Sequence, residues 1–158
     1  MLGNFTKKNK GFTLVELLVV IFIIGLLATI SLVVIMEARS KAKDARIKAD
    51  ISQVRAIAQL ILSDYESYAG LCDASNTLNG DVTWLPYGPQ LKVIEDDIEL
   101  QQGVALVLSC YTGTSPNRYC VSADLIASGA GFYCIDSTGV AVEYSADNCT
   151  GASLDCTP

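Results

Sequence analysis

The stretch NKGFTLVELLVVIFIIGLLATISLVVIM, residues 9–36, decides how this chain is organised. Residues 12–36 contain one charged side chain, Glu16, and Lys7, Lys8 and Lys10 stand just before them. As a helix those residues would measure about 37 Å at 1.5 Å per residue. A bilayer core is about 30 Å thick, so the segment can span it with some tilt. A helix of that length that is apolar on every side does not suit the core of so small a protein. The sequence therefore predicts membrane insertion. Glu16 is the anomaly, because a charge at the bilayer centre costs about 2.5–3.5 kcal/mol.

The rest of the chain is built differently. Of 158 residues with a net charge of −6, residues 1–63 hold nine Lys/Arg and four Asp/Glu, whereas residues 64–158 hold two and thirteen. An acidic exterior keeps a domain soluble and repels phosphate backbones, so no nucleic-acid partner is expected for the C-terminal part. Six cysteines (Cys72, Cys110, Cys120, Cys134, Cys149 and Cys156) all lie in that part, with no C-x-x-C pair and no histidine in the chain. That pattern argues against zinc and for a disulfide framework in an oxidising compartment.

Three readings of the N-terminus compete. A cleaved secretory signal has an apolar run of 7–15 residues; the run here is longer, although Ser40-Lys41-Ala42 offers a cleavage pattern. A permanent signal anchor leaves Glu16 unexplained. A cut between Gly11 and Phe12 puts Glu16 one helical turn from a new amino terminus, where its carboxylate can neutralise an ammonium. The residues that favour the third reading are the lysines, Gly11 and Phe12-Thr13-Leu14-Val15-Glu16 with the apolar run behind them. Together they resemble the N-terminal signal of type IV pilins and type II secretion pseudopilins. The resemblance implies a leader of residues 1–11, cut after Gly11 by a prepilin peptidase that also methylates the new N-terminal Phe12. It implies assembly into a helical filament through the apolar helix, with Glu16 as the assembly residue. Residues 26–36 lack the proline that many pilins carry there.

Beyond Met36 an amphipathic pattern continues without Gly or Pro until Gly70. Ile47, Ile51, Val54, Ala58, Ile61, Tyr65 and Tyr68 form a stripe at helical spacing, which predicts one helix from about residue 13 to about 68. The basic run of residues 39–48 reads as a solvated face with pairs such as Asp44–Lys48, as a contact for the acidic head of a neighbouring subunit, or as a site for anionic lipid headgroups or nucleic acid. Turn residues mark a loop over 70–89. Leu91, Ile94 and Ile98 predict a second helix over about 90–102. The β-rich stretches 104–111, 118–125, 131–138 and 140–145 predict an antiparallel meander of three or four strands. The expected fold is α+β, a long N-terminal helix whose second half packs on the sheet, and this is also the fold the family implies. The expected divisions are 1–11 leader, 12–36 membrane or filament-core helix, 37–69 amphipathic continuation and 70–158 disulfide-containing head.

No catalytic constellation is legible. Without histidine no Ser/His or Cys/His nucleophile can be built. Glu95-Asp96-Asp97 with Glu99 reads as a charged helix face. No cofactor is expected; the residues offered for calcium are Asp136, Asp147 and Asp155, because some pseudopilins bind calcium near the C-terminus. Asn148-Cys149-Thr150 fits a glycosylation sequon with a cysteine in its middle. Among the fifteen possible pairings, a predicted hairpin favours Cys120–Cys134, a short terminal loop favours Cys149–Cys156, and Cys72–Cys110 is left. The sequence thus predicts a single-pass inner-membrane protein with its head outside the cytoplasm. It would enter a surface filament or a periplasmic pseudopilus, with the assembly machinery as partner. The alternative is a membrane-anchored binding domain that never polymerises.

Overall fold

The computed structural model describes residues 11–80, 86–103, 105–114 and 117–157, the side chains of Val33 and Thr114 excepted. The leader lysines lie outside the described residues. Two compact units divide the chain, Met1–Ala38 and Arg39–Pro158.

In the first unit the described backbone from Leu14 is helical, the start of α1 (Leu14–Tyr65). Its described large apolar side chains from Phe12 to Met36 are exposed, from 44% at Val20 to 79% at Leu14. By length and composition the segment is able to cross a membrane. No face is reserved for a core, as expected of a helix made for lipid or for copies of itself.

In the second unit α1 buries Ile47, Ile51, Val54, Ala58 and Ile61, the predicted stripe. Fully burying such aliphatic side chains contributes about 1.5–3 kcal/mol each, so this stripe fixes the helix to the head. The stripe stops earlier than expected. The helix ends at Tyr65, which is exposed, and the chain turns at Glu66 in the left-handed region with φ 54°. Tyr68 is buried from beyond that turn, edge-on to Tyr119 with ring centroids 4.7 Å apart. Asn117 holds the turn, accepting from the Tyr68 N–H at 3.1 Å and donating to the Glu66 carbonyl at 3.2 Å.

Helix α2 spans Gly88–Gln102, with Pro89 in its first turn and Gly103 (φ 68°) closing it by donating to the Glu99 carbonyl at 2.9 Å. Leu91, Ile94 and Ile98 face inward as their spacing predicts. Four antiparallel strands follow in sequence order: β1 (Leu108–Thr114), β2 (Asn117–Asp124), β3 (Phe132–Asp136) and β4 (Ala141–Tyr144). β1 starts later than the predicted stretch 104–111 and runs on past its end through Thr112–Thr114. The buried Gln102 side chain explains the late start: it pairs with both the N–H and the C=O of Val107 and with the Asp124 carbonyl, at 2.8–3.0 Å. It stands in for the ladder bond from the Val107 N–H to the Asp124 carbonyl, while the Asp124 N–H still reaches the Val107 carbonyl at 3.1 Å.

Alternation sorts the sheet into two faces. Cys110, Tyr119, Val121, Ala123 and Ile135 pack with the α1 stripe and α2. Cys120 and Cys134 point the other way, where Cys149, Leu154 and Cys156 of the C-terminal tail cover them together with Tyr111, Val142 and Tyr144. The second unit is therefore three layers: helices, sheet and a stapled tail.

Candidate functional site

Thr13 and Glu16 build the start of α1 between them. The Thr13 N–H and hydroxyl donate to Glu16 Oε2 at 2.9 and 2.7 Å, and the Glu16 N–H returns a bond to Thr13 Oγ1 at 3.2 Å. This is a capping box, the reciprocal arrangement that T-x-x-E permits at a helix N-terminus. The carboxylate also sits where the helix dipole favours a negative charge. Two of the helix's unpaired N-terminal donors are thereby satisfied within the chain itself. Thr13 was the member missed in the sequence, although the T-x-x-E spacing of Thr13-Leu14-Val15-Glu16 carries it.

Gly11 and Phe12 precede the helix in exposed, non-helical backbone. A Cβ on Gly11 would meet nothing within 4 Å among the described residues. Packing places no demand for glycine there.

All six cysteines are paired: Cys72–Cys110, Cys120–Cys149 and Cys134–Cys156, with Cα–Cα distances of 5.4, 5.6 and 5.8 Å. The first is the pair left over in the sequence reading; the expected Cys120–Cys134 and Cys149–Cys156 pairs are corrected. Register is the reason. Cys120 stands opposite Asp136, and Cys134 opposite Ser122. The hairpin is centred one residue later than the sequence suggested, which moves every cross-strand partner by two. The two strand cysteines are diagonal neighbours on one face, and each takes a partner from the tail above it.

The three carboxylates offered for calcium each have donors of their own. Asp136 accepts from the Thr138 N–H and hydroxyl, the Val140 N–H and the Cys156 N–H at 2.6–3.2 Å. Burial pushes its carboxyl up, but these donors outweigh it and hold Asp136 below the usual carboxylate value. Asp147 accepts from Ser109, Ser122 and the Cys149 N–H at 2.5–3.0 Å, clamping the outer face of the β1–β2 pair, where the two serines are cross-strand partners. Asp155 takes a two-pronged bond from Arg118 Nη1 at 2.8–2.9 Å. All three organise the tail. Among the described residues no group of three or more His, Cys, Asp or Glu could hold a metal ion.

The basic run of α1 is also wired differently from its sequence reading. Asp44 is 4% exposed and accepts from the backbone N–H groups of Ile126 and Ala127 at 2.7 and 3.1 Å. Lys48 reaches Glu143 at 2.7 Å instead of pairing with Asp44. Arg46 meets Asp97 of α2 at 2.6 Å. Below that pair Asp50 is buried, and its Oδ2 has no hydrogen-bond partner among the described residues. Burial first, then the neighbouring Asp97, pushes the Asp50 carboxyl up to about 6.

Residues 6–32 match the family model of the prokaryotic N-terminal methylation motif. The chain is 24% identical over 154 residues to the type IV major pilin protein PilA of Myxococcus xanthus (strain DK1622), covering 94% of this chain and 64% of that protein. It is 35% identical over 79 residues to the type IV major fimbrial protein FimA of Dichelobacter nodosus, covering 48% of this chain and 50% of that protein. The chain thus spans between half and two thirds of these relatives' lengths. No solved structure matches it significantly. The chain thus carries a prokaryotic N-terminal methylation motif and is similar to two type IV major subunits, and its own fold is a long N-terminal helix on an antiparallel four-stranded sheet.

Proposed function

We propose that the chain is made as a prepilin, cut between Gly11 and Phe12 and methylated on Phe12 by a prepilin peptidase, and polymerised through residues 12–36. The observation that carries this reading is the exposed apolar stretch 12–36, whose only carboxylate, Glu16, is held at the very start of the helix. The divisions that follow are a leader (1–11), a filament-core helix (12–36), its amphipathic continuation (37–69) and the head (70–158). Before assembly the subunit waits in the inner membrane as a single-pass protein, its disulfide-bonded head outside the cytoplasm. The filament is a surface type IV pilus rather than a periplasmic pseudopilus, since both relatives are named as type IV major subunits.

Cleavage turns the Phe12 nitrogen from an uncharged amide into an ammonium. Glu16 Oε2 takes both Thr13 bonds, leaving Oε1 to meet such an amine, its own or that of the neighbouring subunit. In an apolar filament core a charge without its partner is costly, which draws an incoming subunit to one stagger. The test is competition. Glu16→Leu subunits, expressed beside the parent, should insert and be processed yet be depleted from filaments about tenfold or more, because breaking a buried charge pair costs about 3–5 kcal/mol. Equal incorporation would remove Glu16 from the assembly mechanism.

A further inference from the structure

In the head, the two most exposed large apolar side chains among the described residues are on one helix: Val93, 67% exposed, and Leu100, 72% exposed, both on α2. They lie seven residues apart with Asp96 between them, so all three share one stripe on the solvent side. Val93 also edges a groove of about 550 Å³ lined by Ala56 and Ile57 of α1 and by Pro89 and Ile94 of α2. The inward face of α2 is already satisfied by Leu91, Ile94 and Ile98. Among the described residues nothing packs on this stripe, and its carboxylate Asp96 pairs along the helix with Lys92 at 2.6 Å.

The same chain carries a surface of complementary character. Between residues 39 and 49 the exposed side of α1 presents Ala42, Ala45 and Ala49 at helical spacing, flanked by Arg39 and Lys41. Small side chains let another helix approach closely, and the flanking cations oppose the acidic balance of α2, which has four carboxylates and one lysine. Within one subunit the same chemistry already joins the two helices on a different side. Arg46 pairs with Asp97, and Lys43 donates to the Gln101 carbonyl at 3.1 Å.

We propose that the outward face of α2, centred on Val93, Asp96 and Leu100, docks on the alanine-lined basic segment 39–49 of α1 in a second copy of this chain. The proposal rests on the pilin reading and adds to it a contact between heads and helices outside the apolar core. Its two surfaces are different patches of the same chain, so the contact is head-to-tail. Such a contact, when its rotation does not close a ring, repeats into an open helical filament instead of stopping at a dimer. Val93 and Leu100 seat beside the alanines, and Asp96 faces Arg39.

Photo-crosslinking in assembled filaments tests it. A benzophenone amino acid in place of Leu100 of the full chain, expressed beside the parent, should give a subunit–subunit product on illumination, and peptide mapping should put the bond within residues 39–49 of the partner copy. A charge series adds an independent readout. Asp96→Lys should lower incorporation about fivefold, the scale of a surface ion pair turned repulsive, and Arg39→Glu in the same cell should restore it. Filaments that contain the probe but crosslink elsewhere, to another protein, or not at all overturn the proposal while leaving the polymer reading intact. A parent subunit that never enters filaments overturns both.

Discussion

Asp44 offers the sharpest test of how the head is held to α1. Its buried carboxylate accepts two backbone N–H groups from the segment after β2, Ile126 at 2.7 Å and Ala127 at 3.1 Å. Hydrogen bonds to a charged group contribute about 1.5–3 kcal/mol each, and an orphaned buried donor costs about 1–3 kcal/mol. Asp44→Ala strips both amides of their acceptor and should destabilise the second unit by about 3 kcal/mol. Asp44→Asn keeps one acceptor oxygen and should cost about half as much. Lys48→Ala removes only the partly exposed pair with Glu143 and should cost under about 1 kcal/mol. For a cooperative unit of this size 1 kcal/mol is about 4 °C in Tm, so the shifts expected are about 12, 6 and under 4 °C. Circular dichroism melts of the full chain in detergent would read them. If Asp44→Ala melts within about 2 °C of the parent, or no lower than Lys48→Ala, the assignment of Asp44 to the loop amides is wrong.

The tail should depend on its staples: Cys134→Ala with Cys156→Ala removes a 22-residue link. That loses about 3 kcal/mol in the chain-entropy account, and limited proteolysis should then cut between residues 145 and 157 first. Glu66→Gly should raise stability by about 0.5–1 kcal/mol, since glycine takes the φ of 54° without the steric cost a side chain bears there; a lower melting temperature would show that the Glu66 side chain matters more than its backbone. Asp50, with its folded-state value raised above the unfolded one, favours the protonated fold; its stabilising contribution is complete below about 3.8 and disappears as pH rises through about 6. Asp97, which burial pushes up but Arg46 and Gln101 pull below its ordinary value, opposes this only at the acidic end. Asp50→Asn should therefore melt higher than the parent at pH 7 and flatten the decline between about pH 4 and 6, while an unchanged profile would remove Asp50 from it.

Elements that follow from local spacing were legible in the sequence, and partners set by the tertiary fold were not. The all-round apolar run at 12–36, the α1 stripe from Ile47 to Ile61 and α2 with its three buried positions are each short-range periodicities. The order of the strands followed from their β-rich runs and turns. Their register did not, because a one-residue shift of the β2–β3 centre moves every partner by two, and that alone exchanged the disulfide partners of Cys120 and Cys134. Asp44 looked like half of a helix-surface pair, since its true acceptor role involves amides more than 80 residues away. The calcium candidates were carboxylates near a C-terminus until the tail's path gave each one donors. At the proposed processing and assembly site Gly11, Phe12 and Glu16 stood out by type and order; Thr13 was overlooked although its capping box is itself a sequence pattern.

Processing between Gly11 and Phe12 followed by polymerisation leaves a signature that one mass spectrum reads. Filaments sheared from cells should yield a subunit whose intact mass matches residues 12–158 plus one methyl group, with all six cysteines oxidised, and N-terminal sequencing should place the methyl on Phe12. A subunit beginning at Met1, one cut near Ala42, or one present in membranes but never in sheared filaments would contradict the account.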